Sequence, residues 1–216
     1  MNETAPSVLD RIKRVRIVPV VALDREDLAE PLAEALLRAG LDVIEITFRT
    51  AAAAAAILKI TSRFKEMLVG AGTLLDRDQV HKAAAAGARF AVAPGLNESV
   101  VTAAHETGIE MVPGVMTPSE VEKAISLACR TLKFFPAEAA GGVAMLKSLE
   151  GPYSHTGVRF IPTGGINPGN MRAYLQCSSV IAVGGSWMAE KKLVAAQDWL
   201  QIEQLTRAAL TAARNV

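Results

Sequence analysis

The stretch Val43-Ile44-Glu45-Ile46-Thr47-Phe48-Arg49 is a short β-prone run that carries two charged side chains. Successive side chains of a strand point to opposite faces. One face would hold Ile44, Ile46 and Phe48, and the other Val43, Glu45, Thr47 and Arg49. A strand buried on both sides normally reads as a continuous apolar run. The run therefore predicts a buried strand whose charged face has a function. An internal ion pair of Glu45 with Arg49 is the alternative, although such pairs add little net stability.

Further short apolar runs flank this one and alternate with longer Ala- and Leu-rich stretches that predict helices. The predicted strands are 15–21, 43–49, 67–70, 90–93, 110–112, 131–135, 159–162 and 180–183. The clearest helix start is Thr117-Pro118-Ser119-Glu120, a capping box with proline at the first helical position. These units predict an α/β fold, a compact (β/α)8 TIM barrel with an N-terminal helix, as one domain over residues 1–216. A doubly wound open sheet is the alternative.

Length and composition exclude several classes of protein. The 216 residues are 50% hydrophobic and carry a formal net charge of +1, which supports one sizeable core and argues against disorder and against nucleic-acid binding. The N-terminus lacks the apolar segment of a signal peptide, and no stretch reaches about 18 apolar residues without a charge. A cytoplasmic protein that does not enter membranes is predicted. Cys129 and Cys177 are expected in the core, outside any disulfide or zinc site.

The sixth predicted strand repeats the pattern of the second. Thr131, Lys133 and Phe135 would share the interior face, and Leu132 and Phe134 the face toward the helices. Burial and the nearby cation of Arg49 would both disfavour the ammonium form of Lys133, leaving a nucleophilic amine fit to attack a ketone. The alternative is that the long stem of Lys133 carries its charge out to solvent.

Two glycine pairs follow the last two predicted strands, in Thr163-Gly164-Gly165-Ile166-Asn167 and Val183-Gly184-Gly185-Ser186-Trp187. Glycines in these two loops are typical of the phosphate site of many barrels, where backbone N–H groups meet the anion. Tight turns without a ligand are the alternative. A metal site is not predicted, because His81, His105 and His155 lack ligand spacing and are expected at the surface.

Seven segments occur in the order seen in the 2-keto-3-deoxy-6-phosphogluconate (KDPG) aldolases, and the chain resembles that family from about residue 18 to 187. They are E-I-T-F-R-T at 45–50, V-G-A-G-T at 69–73, P-G-L at 94–96, P-G-V at 113–115, L-K-F-F-P-A-E at 132–138, P-T-G-G-I at 162–166 and G-G-S-W at 184–187. The resemblance implies a homotrimeric class I aldolase of the Entner-Doudoroff pathway. Such an enzyme cleaves the phosphorylated keto acid reversibly to pyruvate and glyceraldehyde 3-phosphate without a cofactor.

The resemblance also implies a role for each matching residue. Lys133 would form the Schiff base and Glu45 would be the general acid and base, working through water. Arg49 and Thr73 would bind the carboxylate of the pyruvyl half, and Pro94 and Phe135 would form its apolar wall. The phosphate would be held by Gly164, Gly165, Gly184, Gly185 and Ser186. Thr163 is the residue usual in gluconate-type members, whereas galactonate-type members tend to have an apolar residue there.

The chain departs from the family pattern in two places. Phe48 replaces a more usual leucine and is expected to point toward the helices, and the tail after Trp187 matches only loosely.

The nearest alternative activity is 4-hydroxy-2-oxoglutarate (KHG) aldolase or a galactonate-type phosphate aldolase with the same chemistry. A phosphate-binding isomerase or epimerase would use the carboxylate to move protons and the lysine only for its charge. A barrel that binds a small anion without turnover is the non-enzymatic alternative.

Overall fold

The computed structural model describes residues 6–216; residues 1–5, the start of the predicted domain, lie outside the described part. The strands are β1 Ile17–Val21, β2 Val43–Thr47, β3 Leu68–Gly72, β4 Phe90–Val92, β5 Glu110–Val112, β6 Gly114–Val115, β7 Thr131–Phe134, β8 Arg159–Phe160 and β9 Val183–Gly185. The α-helices are α1 Val8–Val15, α2 Ala29–Arg38, α3 Ala53–Arg63, α4 Arg77–Ala85, α5 Glu98–Thr107, α6 Pro118–Ser126, α7 Gly142–Tyr153, α8 Met171–Leu175, α9 Lys191–Ala195 and α10 Trp199–Arg214.

The strands form a curled parallel arrangement covered by helices, so the predicted α/β class is confirmed. One sheet has the order β5-β4-β3-β2-β1-β9 and the other the order β6-β7-β8. Except where β9 pairs with β1, neighbouring strands follow one another along the chain, whereas a doubly wound sheet reverses its order at a switch point. The two sheets meet at parallel bridges from Phe160 to Val180 and from Thr163 to Gly184. The carboxyl ends of the strands therefore all lie at one end of the molecule.

Most strands differ from the predicted ones by one to three residues at an end, and three of these differences have a clear structural reason. The prediction of a strand from residue 15 was wrong, because Val15 ends α1 and Arg16 closes that helix in the left-handed region at a φ of 62°. The strand predicted at 110–112 resumes as β6 after Pro113, which has no N–H to donate to a ladder. The last strand starts at Val183 rather than at residue 180, so Gly184 and Gly185 lie in β9 and not in a loop.

Local signals in the sequence account for the ends of several helices. Helix α6 begins with the predicted capping box, in which the Thr117 side chain accepts from the Glu120 N–H and the Glu120 carboxylate accepts from the Thr117 N–H. Helix α1 has a second capping box, made by Ser7 and Asp10. Such caps each contribute about 1 kcal/mol to helix stability. They fix where the helices start, and with them the strand ends that carry the site.

The amino-terminal end of the curled sheet is closed by packed apolar side chains. Ile12 of α1 is fully buried and reaches the interior, where the ring of Phe90 lies over Gly70. A side chain at Gly70 would overlap that ring, so the glycine makes room for the aromatic residue. The interior is therefore a packed core at this end, and it opens only toward the carboxyl ends of the strands.

Further predictions about single residues can be compared with the structure. Cys129 and Cys177 are buried and unpaired, as predicted. The three histidines are exposed, also as predicted. Phe48 is half-buried and packs against the hydrophobic core. Within residues 6–216, no helix has both the length and the apolar character needed to span a bilayer.

Candidate active site

Lys133 lies in the middle of β7 with its side chain in the interior, as the two-residue period predicts. It is only 5% exposed, and its backbone N–H donates to the Pro113 carbonyl at 2.8 Å. Its Nζ atom lies 4.8 Å from the centre of the Phe135 ring. Within residues 6–216, Lys133 forms no ion pair with a carboxylate. A buried lysine normally needs a partner, so the surroundings of this amine are unusual.

Glu45 lies on β2 and is 3% exposed. Its Oε1 atom is buried and has no hydrogen-bond partner in the described part of the chain. Burial raises the pKa of Glu45 above its ordinary value, and the opposing charges of Lys133 and Arg49 offset only part of this effect. A side chain at Gly72 on β3 would overlap the Glu45 carboxylate, so that glycine gives the carboxylate its place. The result is a carboxyl group that keeps its proton to a higher pH than an exposed glutamate does.

Glu45 and Lys133 line one small cavity in the interior. Its remaining walls are mostly apolar and are made by Ile12, Val18, Phe90, Val92, Val112, Ile161, Thr163 and Gly184. The cavity measures about 10 Å³, which is close to the space that one water molecule needs. Charges in such surroundings interact more strongly than in water. The two sheets therefore bring a carboxylate and an amine to one cavity although the two residues lie far apart in sequence.

Arg49 and Thr73 lie just beyond the ends of β2 and β3. The prediction of Arg49 within the strand was wrong, because β2 ends at Thr47 and Arg49 follows in an exposed turn. Its Nε atom donates to Thr47 Oγ1 at 3.2 Å, so it still lies on the side of Glu45. Thr73 adopts a left-handed φ of 58°, which for a β-branched residue costs about 1–3 kcal/mol. Strain of this kind is typical of residues that hold a ligand.

Pro94 and Phe135 follow the ends of β4 and β7, and both are half-buried. The Pro94 carbonyl packs so closely on Gly114 that a side chain there would overlap it. The Phe135 ring lies beside Lys133 Nζ and against Gly164, where an added Cβ would stand 3.2 Å from the ring. These two residues therefore flank the opening above Lys133.

The two glycine pairs differ in conformation, although both lie at the open end. Gly164 and Gly165 form a loop with φ values of 98° and 81°, which other residues rarely adopt. Gly184 and Gly185 are in β9, where a side chain at Gly184 would overlap Thr163 Oγ1. The N–H groups of Gly164, Gly165 and the exposed Ser186 have no hydrogen-bond partner within residues 6–216. Such unpaired N–H groups are the donors that bind an anion.

The sequence can now be compared with known proteins. The family model "KDPG and KHG aldolase" matches residues 8–205.

The chain belongs to the KDPG and KHG aldolase family.

Relatives support this membership over nearly the whole chain. A 2-dehydro-3-deoxy-phosphogluconate aldolase of Haemophilus influenzae is 42% identical over 207 residues, which are 96% of this chain and 97% of that protein. A KHG/KDPG aldolase of Escherichia coli is 42% identical over 198 residues, 92% of each chain. The crystal structure of a Legionella pneumophila KDPG aldolase, with pyruvate captured as a covalent carbinolamine, has a TM-score of 0.89 at 37% identity. The match spans 96% of this chain and 98% of the Legionella chain.

Sequence reasoning missed several residues that position the side chains of the site. Gly72 and Gly114 leave room for the Glu45 carboxylate and the Pro94 carbonyl. Both glycines stand inside segments by which the family is recognised, so glycine within a strand was the available signal. Thr47 orients Arg49 and itself donates to the Val21 carbonyl at 3.1 Å. Only its position on the face of Glu45 pointed to it.

Proposed function

We propose that this chain is a class I aldolase that cleaves 2-dehydro-3-deoxy-6-phosphogluconate (KDPG) reversibly to pyruvate and D-glyceraldehyde 3-phosphate. The observation that carries the proposal is the pair formed by Lys133 and Glu45 in one cavity. Within residues 6–216, the buried amine has no ion-pair partner and the buried Glu45 Oε1 atom has no hydrogen-bond partner. An amine without an ion-pair partner is suited to form a Schiff base, and the carboxylate is suited to move the protons that this chemistry needs.

In the proposed cycle, the Nζ lone pair of Lys133 attacks the C2 carbonyl carbon to form a carbinolamine. The Glu45 carboxyl group gives its proton to the C2 hydroxyl, which leaves as water, so a protonated imine and a Glu45 carboxylate remain. The C4 hydroxyl then gives its proton to the Glu45 carboxylate while the C3–C4 electron pair moves into the iminium. Glyceraldehyde 3-phosphate leaves, and an enamine stays on Lys133. Glu45 gives the proton it took from the C4 hydroxyl to C3 of the enamine, which restores the protonated imine. Hydrolysis of this imine by water releases pyruvate and the neutral amine, and the proton set free returns to Glu45.

Glu45 suits this proton traffic because of its surroundings. Its raised pKa favours taking up a proton from the C4 hydroxyl and giving it back in the reverse reaction. A water molecule in the small cavity could carry protons between Glu45 and the carbinolamine, and the cavity has the volume for about one. The apolar walls keep other water away from the enamine.

The substrate's two anionic ends would bind at different loops. The pyruvyl carboxylate would bind Arg49 and Thr73, beside the apolar wall of Pro94 and Phe135. The phosphate would bind the free N–H groups of the Gly164-Gly165 loop and of Ser186, with Gly184 and Gly185 giving close access. Thr163 lies between these regions and lines the cavity with Lys133 and Glu45, which suits a gluconate-type substrate.

Arg49→Ala should weaken pyruvate recognition more than it slows the chemistry. Loss of a charge-assisted hydrogen bond to the carboxylate should raise the pyruvate concentration for half-maximal borohydride trapping by roughly 10- to 100-fold. The measurement is the fraction of reduced adduct by mass spectrometry against pyruvate concentration. Arg25→Ala is the matched control, because Arg25 is an exposed arginine on the loop after β1 at the same end. Unchanged half-saturation in Arg49→Ala would contradict the carboxylate role.

We propose that the strands close into a (β/α)8 barrel, as one domain over residues 1–216. The bridges from β8 to the segment of β9 support closure on one side. On the other side, β5 and β6 continue each other around Pro113 and pair with β4 and β7 respectively. Counting β5 and β6 as one strand leaves eight, which agrees with the fold of many enzymes that work at the carboxyl end of their strands.

The proposed assembly is a homotrimer in the cytoplasm, as the family resemblance and the sequence imply. Two exposed apolar side chains support a subunit interface at the open end. Leu75 and Met116 follow β3 and β6 there and are 55% and 40% exposed. The mass of the protein in solution tests the trimer.

The deciding experiment is incubation of the protein with pyruvate and borohydride, followed by mass spectrometry and peptide mapping. We expect one reduced pyruvyl adduct, on Lys133, and release of glyceraldehyde 3-phosphate from KDPG in a separate assay. No adduct would exclude the class I mechanism and favour the isomerase alternative. An adduct without cleavage of KDPG would direct attention to 4-hydroxy-2-oxoglutarate, because the Escherichia coli relative is named for both substrates.

A further inference from the structure

Glu138 closes the L-K-F-F-P-A-E segment that carries Lys133, yet the proposed chemistry gives it no part. It lies in the turn after β7, in direct contact with the Gly164-Gly165 loop. Its N–H donates to the Gly164 carbonyl at 3.1 Å, and its Cβ and Cγ atoms lie 2.7 Å from where a side chain on Gly165 would begin. The turn that follows the lysine strand therefore packs directly on the loop assigned to the phosphate.

The carboxylate of Glu138 is held by one buried side chain. Tyr174 of α8 is fully buried and donates its hydroxyl hydrogen to Glu138 Oε1. Within residues 6–216, this is the only side chain that donates to the Glu138 carboxylate. Burial and this bond raise the pKa of Tyr174 well above its usual range, so its hydroxyl stays protonated and remains a donor.

The start of α8 holds the other side of the same loop. The Gly165 carbonyl accepts from the side-chain amides of Asn170 at 3.0 Å and Asn167 at 3.2 Å. With its carbonyl fixed, the peptide groups around Gly165 have a defined direction. One short segment, residues 167–174, thus reaches the loop directly through the two amides and indirectly through Tyr174 and Glu138.

We propose that Tyr174 and Glu138 form a positioning pair that keeps the Gly164-Gly165 loop in the shape that binds the substrate's phosphate. The hydrogen bond from Tyr174 fixes the Glu138 side chain against the buried wall of the protein, and with it the turn whose N–H donates to the Gly164 carbonyl. The pair acts on phosphate affinity and not on the Schiff base. This inference rests on the proposed function.

The test is Tyr174→Phe, which removes the donor and keeps the ring. We expect the KM for KDPG to rise about tenfold, the loss typical of a hydrogen bond to a charged group, while kcat changes less than about twofold. Half-saturation of borohydride trapping by pyruvate, which carries no phosphate, should not change. The matched control is Tyr153→Phe, because Tyr153 likewise donates to a glutamate, Glu122, at 2.9 Å. All kinetic values of this control should stay at the parent level.

Two substitutions of Glu138 test the pair without touching the core. Glu138→Ala should raise the KM as Tyr174→Phe does, whereas Glu138→Gln should stay near the parent value because its amide oxygen still accepts from Tyr174. A merely structural role would instead change kcat, pyruvate trapping and KM together. Either that result or an unchanged KM in both Tyr174→Phe and Glu138→Ala would overturn this inference and leave the proposed function standing. A parent protein that neither traps pyruvate nor cleaves KDPG would overturn the proposed function, and the inference with it.

Discussion

Lys133→Met should abolish aldol cleavage and pyruvate trapping, lowering kcat by at least about 10⁴-fold. Methionine has a similar length and no amine, so the imine cannot form and no other group replaces the electron sink. Cleavage of KDPG measured by release of glyceraldehyde 3-phosphate checks the rate, and mass spectrometry after borohydride treatment checks the adduct.

The fold should survive this change, because an apolar side chain replaces a buried and unpaired amine. Thermal unfolding should therefore show a midpoint no lower than that of the parent. Lys147→Met is the matched control, because Lys147 is exposed on α7. This variant should keep full activity and give one adduct with pyruvate. Cleavage by Lys133→Met within tenfold of the parent rate would refute the assignment of the nucleophile.

Glu45→Gln should lower kcat by roughly 10²- to 10⁴-fold, the range for loss of a general acid and base. The amide keeps the size of the carboxylate but cannot accept the C4 proton. Because Lys133 remains, prolonged incubation with pyruvate and borohydride should still give an adduct on that lysine. The two measurements separate proton transfer from Schiff-base formation. A kcat close to that of the parent would show that another group moves the proton.

The same variant should change how stability depends on pH. The pKa of Glu45 is raised in the folded protein, so the native state holds this proton more tightly than the unfolded chain does. The stability that Glu45 contributes is present below its unfolded pKa and is lost as pH rises through the folded value. Glu45→Gln cannot lose a proton. Above that value it should therefore be more stable than the parent, in chemical denaturation at several pH values, with Glu66→Gln at an exposed position as the control.

Periodicity predicted the interior residues well because it depends only on the backbone. A period of two places every second side chain on the same face, and it correctly brought Glu45 and Lys133 to the interior. The capping box at Thr117 was equally reliable, since its bonds join residues three apart in sequence. Such local rules need no knowledge of distant contacts.

The errors came from contacts between distant segments. Gly184 and Gly185 were predicted to follow the last strand because glycine pairs in such loops are typical of a phosphate site. They lie inside β9 instead, where Thr163, 21 residues earlier, packs so closely on Gly184 that no side chain fits. The left-handed backbone of Thr73 carries no local signal at all. The bond from Tyr174 to Glu138 joins residues 36 apart and could not be read from either segment.

Glu45 belongs to the six-stranded sheet and Lys133 to the three-stranded one. Each sheet is hydrogen-bonded internally, and contacts between residues far apart in sequence are slow to form. Neither sheet alone holds both reactive groups. A nascent or partly unfolded chain with one sheet intact would thus not place the amine beside the acid, so the proposed reaction with carbonyl compounds requires a chain that has finished folding.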